Sequence, residues 1–387
     1  MNEIIVALDS FKGCLSSADA CHAAAMGIRA ALPDAVVTEL PVSDGGEGLT
    51  SVLTHALQGQ YVSVDVHDPL MRPVSVQYGI APGDVAIMEM AAACGLPLLS
   101  ATERNPEATT TFGFGEMICD ALRRGCKRFI LGIGGSATTD AGLGMMQALG
   151  ATFKMSDGVV ITRADAVTHH RAICGRDLLQ IADIGTSSLL PELSDAAFMV
   201  ACDVQNPLYG DDGAAYVFAP QKGADAEMVR RLDEGLRNIA EGRTMPGDGA
   251  AGGLGYALRH FLQADMRPGI DLVLQQLDFD HKISHASLIL TGEGKSDRQT
   301  LMGKVPYGIL QRARQQNIPV HLLAGAIEDR EILLQKGFCS CNCINDGDDA
   351  PLQVLMLPQV AQRHLADAAA SVARSESTGA SAAHHSN

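Results

Sequence analysis

The sequence predicts an α/β protein of two domains, and three observations lead to this prediction. The chain has 387 residues, which is more than a single hydrophobic core usually supports. Hydrophobic residues make up 47% of the chain and charged residues 19%, a balance typical of globular proteins. Patterns of strand, loop and helix alternate near both ends of the chain, as they do in a parallel sheet covered by helices.

The amino-terminal part contains two such strand–loop–helix units. A strand is predicted at 4–8, and a helix from 16 or 17 to 32 with Ser16 as its N-cap. A second strand, at 36–40, leads through a glycine-rich loop into a helix that runs toward residue 57. Loops that follow parallel strands gather at one edge of the sheet, where open α/β sheets bind their ligands. We therefore expect the loops after both strands to carry functional residues.

The pattern changes in the middle of the chain. Residues 61–66 and 74–80 alternate apolar and polar side chains, which is typical of antiparallel strands with one solvated face. The remaining predicted strands lie at 85–90, 128–131, 197–201, 287–290, 320–323 and 339–344. A last helix is predicted at 360–372.

These elements indicate a discontinuous first domain, a flavodoxin-like or Rossmann-like parallel α/β domain made of residues 1–60 and 284–372. A second α/β domain, residues 61–283, is inserted between the two parts. Residues 373–387 are mostly Ser, Ala and His and are predicted to form a disordered tail.

Charge and composition exclude several classes of protein. The net charge of −16 argues against a nucleic-acid partner, because phosphate backbones are bound by clustered Lys and Arg. No apolar run is long enough for a membrane span, and the first residues show no signal-peptide pattern. The ten cysteines are scattered rather than spaced as a secreted disulfide framework. We expect a cytoplasmic protein without a membrane partner, and the sequence does not indicate its oligomeric state.

The segment TGEGKSDRQT at 291–300, after an apolar strand, is the first candidate for a functional site. Its two glycines allow backbone N–H groups to approach a bound group closely. Four opposed charges follow within six residues, at Glu293, Lys295, Asp297 and Arg298, and we expect a ligand or a metal ion to pair them. A phosphoryl group with its metal ion fits this pattern. A P-loop does not, since Ile289 stands where the first glycine of that motif must be, and the protein-kinase motifs are also missing.

The segment GIGGSATTD at 132–140 is the second candidate. It follows a predicted strand and is expected to open a helix, whose N-terminus would favour an anion. Ser136, Thr138 and Thr139 add hydroxyl donors, so we favour phosphate binding. The segment also fits G-x-G-x-x-A, which leaves a nicotinamide cofactor as an alternative, and a simple tight turn capped by Asp140 is another.

Three further loops carry candidate residues. Asp203 and Asn206 follow a strand and present oxygens that suit Mg²⁺, although an Asx-turn before Pro207 would explain them as well. Lys12 lies three residues after Asp9 at the end of the first strand. Lys304 begins a helix, where a cation is unfavourable unless an anion compensates it.

With these loops in view, the sequence resembles the bacterial type I glycerate kinase family, specifically its glycerate 2-kinases. Matching motifs occur in order through nearly the whole chain, at 7–12, 15–16, 41–48, 132–140, 201–208, 220–224, 249–255, 267–270 and 291–306. The chain departs from the family pattern in carrying Ser43 for Ala, Thr139 for Asn, Ala141 for Gly and Lys295 for Arg, and at 324–328. None of these departures removes a charged candidate.

The resemblance implies that the γ-phosphoryl group of ATP is transferred, with Mg²⁺, to the 2-hydroxyl of D-glycerate. Phosphoryl transfer depends mainly on positioning and charge neutralisation. The predicted catalytic residues are Lys12, Lys304, Asp297 as the base and Asp9 as the second candidate for that role. The nucleotide phosphates are assigned to Gly134, Gly135, Ser136, Thr138 and Lys295. The substrate is assigned to Asp44, Gly45, Gly46, Glu47, Arg267 and Arg298, one of the two arginines pairing with the carboxylate. The metal is assigned to Asp203 and Glu293.

Three alternatives remain from the residues alone. The acceptor could be the 3-hydroxyl of glycerate or a related small hydroxy acid. The protein could be a non-catalytic sugar-acid-binding protein. It could also be a nicotinamide-dependent oxidoreductase.

Overall fold

The protein is described by a computed structural model, which covers residues 3–240 and 242–383. Contacts divide these residues into two compact units. The first unit contains the described residues up to Asp44 and those from Ile270 onward, and the second contains Gly45–Gly269.

In chain order the strands are β1 (Glu3–Leu8), β2 (Val36–Glu39), β3 (Gln60–His67), β4 (Pro73–Ala81), β5 (Val85–Glu89), β6 (Arg128–Gly132), β7 (Thr152–Met155), β8 (Val160–Ile161), β9 (Ile181–Gly185), β10 (Ala197–Ala201), β11 (Asp265–Arg267), β12 (Ala286–Ser296), β13 (Val320–Ile327) and β14 (Ser340–Cys343). The helices are α1 (Ser17–Ala31), α2 (Leu49–Ala56), α3 (Ala91–Cys94), α4 (Phe112–Arg123), α5 (Leu143–Ala148), α6 (Arg163–His169), α7 (Ala214–Phe218), α8 (Ala226–Ala240), α9 (Ala250–Leu262), α10 (Gly269–Gln276), α11 (Phe279–Lys282), α12 (Val305–Gln315), α13 (Arg330–Lys336), α14 (Leu352–Leu355) and α15 (Pro358–Ala383).

The first unit is built on a parallel sheet in the order β2-β1-β12-β13-β14. Numbered within the unit, this order is 2-1-3-4-5, that of flavodoxin-like folds, as predicted. Alternate residues of β1 face opposite sides of the sheet. Val6 and Leu8 pack in one cluster with α1 and α15, while Ile5 is buried on the other face. The predicted N-cap is confirmed, since Ser16 Oγ accepts a hydrogen bond from Asp19 N at 3.1 Å.

Strand β12 is longer than predicted, because it continues through both glycines to Ser296 and stays paired with β13. Close packing explains the first glycine: a Cβ on Gly292 would lie 3.2 Å from Leu8 Cδ2 and would clash with the carbonyl oxygen of Leu323. At Gly294 a Cβ would lie 3.4 Å from Lys12 N. The second glycine therefore lets the loop after β1 approach the strand.

A Gly292→Ala variant tests this packing. Both neighbouring strands are buried, so the added methyl group must displace backbone, and we expect a loss of about 2–3 kcal/mol in the free energy of unfolding. Urea denaturation measures it. Gly134→Ala is the control, because the nearest atom to a Cβ there is 3.7 Å away and φ is not positive. Equal stability losses in the two variants would contradict the explanation.

The second unit is built on a mixed sheet in the order β11-β10-β6-β5-β4-β3. Strands β5, β6, β10 and β11 are parallel, and β3 and β4 are antiparallel as predicted. A small antiparallel sheet, β8-β7-β9, lies elsewhere in the unit. The core of the second unit includes Phe129 and Phe198, whose rings stack with centroids 4.7 Å apart.

The compact units begin and end at different residues from the predicted domains. Residues 45–60 belong to the second unit, because α2 packs on β4 and β5 rather than on the first sheet. Residues 270–283 belong to the first unit, where Arg312 of α12 pairs with Asp271 and Asp280.

The segment at 373–387, which the sequence predicts to be a disordered tail, overlaps the end of helix α15. Helix α15 continues to Ala383, and Ala373 is buried against the first sheet and α1. Alanine is a strong helix former, and the sequence has no proline to stop the helix after Pro358. Residues 384–387 lie outside the described part of the chain. Within that part, no helix has the length and apolar composition to cross a membrane.

Candidate active site

The loop after β1 lies beside the carboxyl-terminal half of β12, at the point where the strand order of the first sheet reverses. Leu8 and Gly292 are paired neighbours, and Asp9 N donates to the carbonyl oxygen of Gly292 at 2.9 Å. Open α/β sheets bind ligands beyond the carboxyl ends of their strands at this position. Two predicted site residues, Asp9 and Glu293, follow these strand positions directly.

Asp9 is a buried carboxyl group with only 4% of its surface exposed. The pKa of Asp9 is raised to about 7, mainly by burial and also by the nearby charges of Asp44 and Glu293, while a hydrogen bond from Ser10 N and the charge of Lys12 oppose the shift. Ser10 N donates to Asp9 Oδ1 at 2.7 Å. A carboxyl group whose pKa is near neutrality can take up and release a proton under physiological conditions.

Two hydroxyl groups near this carboxyl are buried without hydrogen-bond partners among the described residues: Ser10 Oγ and Thr291 Oγ1. Buried polar atoms are nearly always paired in folded proteins, so such groups need an explanation. Lys12, in the same loop as Ser10, has an exposed side chain. Unpaired donors and a cation at the end of a parallel strand fit the binding of an anion.

Glu293 is also buried, at 5% exposure, and its partners come from the chain that follows it. Oε1 accepts hydrogen bonds from Thr300 Oγ1 at 2.6 Å and Ser296 Oγ at 3.1 Å. Oε2 pairs with Lys304 Nζ at 3.3 Å. Lys304 is the N-cap residue of α12, so Glu293 is the anion that the position of this lysine predicts.

Asp297 has a structural role in the turn after β12. Its Oδ1 accepts a hydrogen bond from Gln299 N at 2.7 Å and caps a 3-10 turn at Arg298–Leu301. Lys295, which is exposed, pairs with Glu328 at 2.9 Å and lies 3.8 Å from Asp297. Arg298 pairs with Asp329 at 3.2 Å. These charges have partners within the protein, so a ligand or a metal ion is not required to pair them.

The glycine loop of the second unit follows β6 as predicted. Gly134 and Gly135 are exposed at the carboxyl end of the strand, and Gly135 has a φ of +74°. Ser136 is buried at 8% exposure, and Thr138 and Thr139 are fully buried. The hydroxyl oxygens of both threonines lack hydrogen-bond partners in the described ranges.

The expected helix N-terminus is not available to an anion at this loop. Helix α5 begins only at Leu143, and the backbone N–H groups of Gly142 and Gly144 donate to the carboxylate of Asp140, at 3.1 and 3.2 Å. Asp140 is fully buried and also accepts from Thr111 N at 2.7 Å. The carboxylate of Asp140 therefore caps this turn, as the alternative interpretation of the segment predicts. Because a dinucleotide turn places the pyrophosphate on that N-terminus, this geometry argues against the nicotinamide alternative.

Ala141 has a φ of +54°, a left-handed conformation that favours glycine. We expect Ala141→Gly, the residue usual in the family, to stabilise the protein by about 1 kcal/mol, since relief of the left-handed strain exceeds the entropy that glycine adds to the unfolded chain. A rise of about 2–4 °C in melting temperature follows. Ala148→Gly within α5 is the control and should lower the melting temperature. A fall in both variants would contradict the assignment of strain.

Lys222 contacts the glycine loop, although it is not among the site residues predicted from the sequence. It is 2% exposed, and its Nζ donates to Ser136 Oγ at 2.8 Å and to the carbonyl oxygen of Thr138 at 2.6 Å. Burial lowers the pKa of Lys222 to about 7, although the charge of Asp140 opposes the shift. The PQKG turn was the available signal, but a lysine in a turn is usually solvated, and only the tertiary structure shows that this one is not.

The predicted substrate residues 44–47 lead into α2. Gly45 has a φ of +90°, and a Cβ there would lie 2.5 Å from Ala201 Cβ and 2.8 Å from Gly269 Cα, so close packing requires this glycine. The N-terminus of α2 is occupied by Glu89, which accepts from Gly48 N at 3.0 Å and Thr50 N at 2.9 Å. Glu89 is the last residue of β5 and has this capping role in the structure. Asp44 is half-buried and Glu47 is exposed.

Asp203 and Arg267 also lie at the carboxyl ends of parallel strands of the second sheet. Asp203 Oδ1 accepts a hydrogen bond from Gly269 N, the first residue of α10, at 2.8 Å. Arg267 pairs with Asp265 at 2.6 Å. The amide of Asn206 donates to the carbonyl oxygen of Asp212 at 2.8 Å, so this side chain holds its own loop. Across 3–240 and 242–383, no group of three or more His, Cys, Asp or Glu side chains is arranged to hold a metal ion.

Comparison with known proteins identifies the family. The model of the glycerate kinase family matches residues 4–376. The chain is 41% identical to the glycerate 2-kinase of Escherichia coli K12, covering 84% of this chain and 86% of that protein. It is 42% identical to the glycerate kinase of Bacillus subtilis strain 168, covering 87% and 88%. A crystal structure assigned as glycerate kinase 2 from Salmonella typhimurium LT2 has a TM-score of 0.83, 37% identity, and coverage of 98% and 99%. The predicted α/β fold and the predicted resemblance are thereby confirmed, and the chain belongs to the glycerate kinase family.

Proposed function

We propose that this protein transfers the γ-phosphoryl group of ATP to the 2-hydroxyl of D-glycerate, giving 2-phospho-D-glycerate and ADP. Membership of a kinase family supports phosphoryl transfer in general, and the relatives named above support glycerate as the acceptor. The observation that carries the chemistry is Asp9, a buried carboxyl with a pKa near 7 at the switch point of the parallel sheet, next to the cation of Lys12.

Asp9 is the proposed general base, in preference to Asp297. A base must accept the proton of the acceptor hydroxyl as the oxygen attacks phosphorus. Both carboxylates accept a backbone hydrogen bond, but Asp297 caps a 3-10 turn and its side chain is 19% exposed, whereas Asp9 is only 4% exposed. Lys12 and Lys304 are proposed to neutralise charge on the transferred group, and exposed Gly134 and Gly135 to present backbone N–H groups to nucleotide phosphates.

Carboxylates of the site fit Mg²⁺ chemically, because this ion prefers hard oxygen ligands and is usually held by one or two carboxylates together with substrate phosphates. Glu293, in the first unit, and Asp203, in the second, are each kept as a candidate ligand. When bound, Mg²⁺ would reduce the negative charge of the phosphate oxygens. The pairing of Glu293 with Lys304 holds the carboxylate of Glu293 in place at the end of the strand.

The test is an assay of the purified protein with ATP, Mg²⁺ and D-glycerate, with the product analysed by ³¹P NMR. A phosphate on the 2-position couples to one proton and gives a doublet, whereas a phosphate on the 3-position couples to two and gives a triplet. A doublet together with stoichiometric ADP is expected. A triplet would replace the proposed regiochemistry, and the absence of turnover with any small hydroxy acid would overturn the proposal. Since the acceptor is a small carboxylic acid, L-glycerate and glycolate are the matched controls.

A further inference from the structure

Lys222 and Ser136 form a polar pair beneath the glycine loop. The ammonium group donates to Ser136 Oγ at 2.8 Å, and the lysine is 2% exposed. Lysine is almost never buried this completely without a reason, because desolvating an ammonium group is costly. The nearby charge of Asp140 compensates for part of this cost.

The direction of this hydrogen bond determines what Ser136 can do. An ammonium group has no acceptor, so the serine oxygen accepts and its own O–H remains available as a donor. A hydroxyl that accepts from a cation is polarised and donates more strongly to its next partner, because hydrogen bonds in a chain reinforce one another. Ser136 follows the exposed Gly134 and Gly135 directly, so its donor belongs to the same loop as their backbone N–H groups.

We propose that Lys222 is a positioning residue whose buried ammonium group holds the glycine loop and polarises the Ser136 hydroxyl for donation to a phosphoryl oxygen of the nucleotide. The ammonium group of Lys222 also donates to the carbonyl oxygen of Thr138 at 2.6 Å, so it holds the loop two residues after Ser136 as well. The inference rests on the proposed function, in which this loop binds nucleotide phosphates. Lys222 itself is too buried to contact the ligand directly.

A double-mutant cycle tests the pair, with binding of the ATP analogue AMP-PNP and of D-glycerate measured separately by calorimetry. Ser136→Ala should weaken AMP-PNP binding about tenfold to hundredfold, the range for a lost hydrogen bond to a charged group. Lys222→Met should weaken it by a similar factor. The double variant should lose little more than either single variant, because both substitutions weaken the same hydrogen bond from Ser136 to the nucleotide. D-glycerate affinity should stay within about twofold, which a general loss of structure would not allow.

Lys154→Met is the matched control, since Lys154 is exposed on β7, and it should bind AMP-PNP like the parent protein. If Lys222→Met does not fold, Lys222→Gln replaces it in the cycle, because the amide keeps a donor without the charge. Multiplicative losses in the double variant, or unchanged AMP-PNP binding in the Lys222 variants, would overturn the inference. The two proposals fail separately, because parent protein that binds AMP-PNP but never phosphorylates glycerate refutes only the proposed function.

Discussion

Asp9→Asn is expected to reduce kcat by about a hundredfold to ten-thousandfold while nucleotide and glycerate binding change little. Asparagine keeps the shape of the side chain but cannot accept the proton of the attacking hydroxyl, and general bases contribute factors of this size. In the parent protein kcat/KM should rise with pH up to about 7, because the carboxyl must be ionised to act and its pKa in the ligand-free protein lies near that value. The residual activity of the variant should lack this dependence. Steady-state kinetics between pH 5.5 and 9 measure both effects.

The same variant should be more stable than the parent protein, which separates lost chemistry from lost folding. The pKa of Asp9 is raised from 3.8 to about 7 on folding, so ionisation of this group weakens the folded state progressively between those pH values and fully above them. At pH 8 the relief in Asp9→Asn amounts to roughly 4 kcal/mol at most. Asp297→Asn is the kinetic control. If it loses more activity than Asp9→Asn, the base is Asp297 and our assignment is wrong.

Lys12→Met is expected to lower kcat by about a hundredfold to a thousandfold, the effect of removing one group that stabilises charge in a transition state. It should also move the acid limb of the pH–rate profile to higher pH, because the charge of Lys12 lowers the pKa of Asp9. Methionine retains most of the length of the side chain. The pH–rate profile and the melting temperature of the variant are the measurements.

Lys127→Met is the control for this prediction. Lys127 precedes β6, at the opposite end of that strand from the glycine loop, and its side chain is 62% exposed. It should leave both kcat and the acid limb unchanged. An acid limb that moves to lower pH in Lys12→Met would show that Lys12 does not act on Asp9.

Much of the site was predictable because the order of strands and loops determines where loops gather. The parallel pattern at both ends of the chain placed Asp9, Lys12 and Glu293 at one edge of a sheet, and the structure pairs Leu8 with Gly292 there. Local rules also predicted the cap at Ser16 and the unfavourable cation at Lys304. The family motifs in the loops were specific because many of them occur in the same order.

Other features depended on partners distant in the sequence. In the sequence Asp297 is a candidate base. Its side chain instead caps a 3-10 turn, and this role can be recognised only when the backbone conformation of the turn is known. Lys222 resembled a solvated turn lysine and is buried against Ser136, 86 residues earlier in the chain. The expected helix N-terminus at the glycine loop is instead satisfied by Asp140.

The sequence by itself determined the α/β class and the family. It also determined that the strand–loop–helix units near both ends of the chain form a parallel sheet. These features follow from periodicity and from motifs that are contiguous in the chain. Only the tertiary structure decided which charged groups are buried. The pKa values of Asp9 and Lys222 both approach 7, one upward and one downward, because desolvation disfavours the charged form of each. Desolvation depends on every neighbouring chain segment, and no local pattern of residues records it.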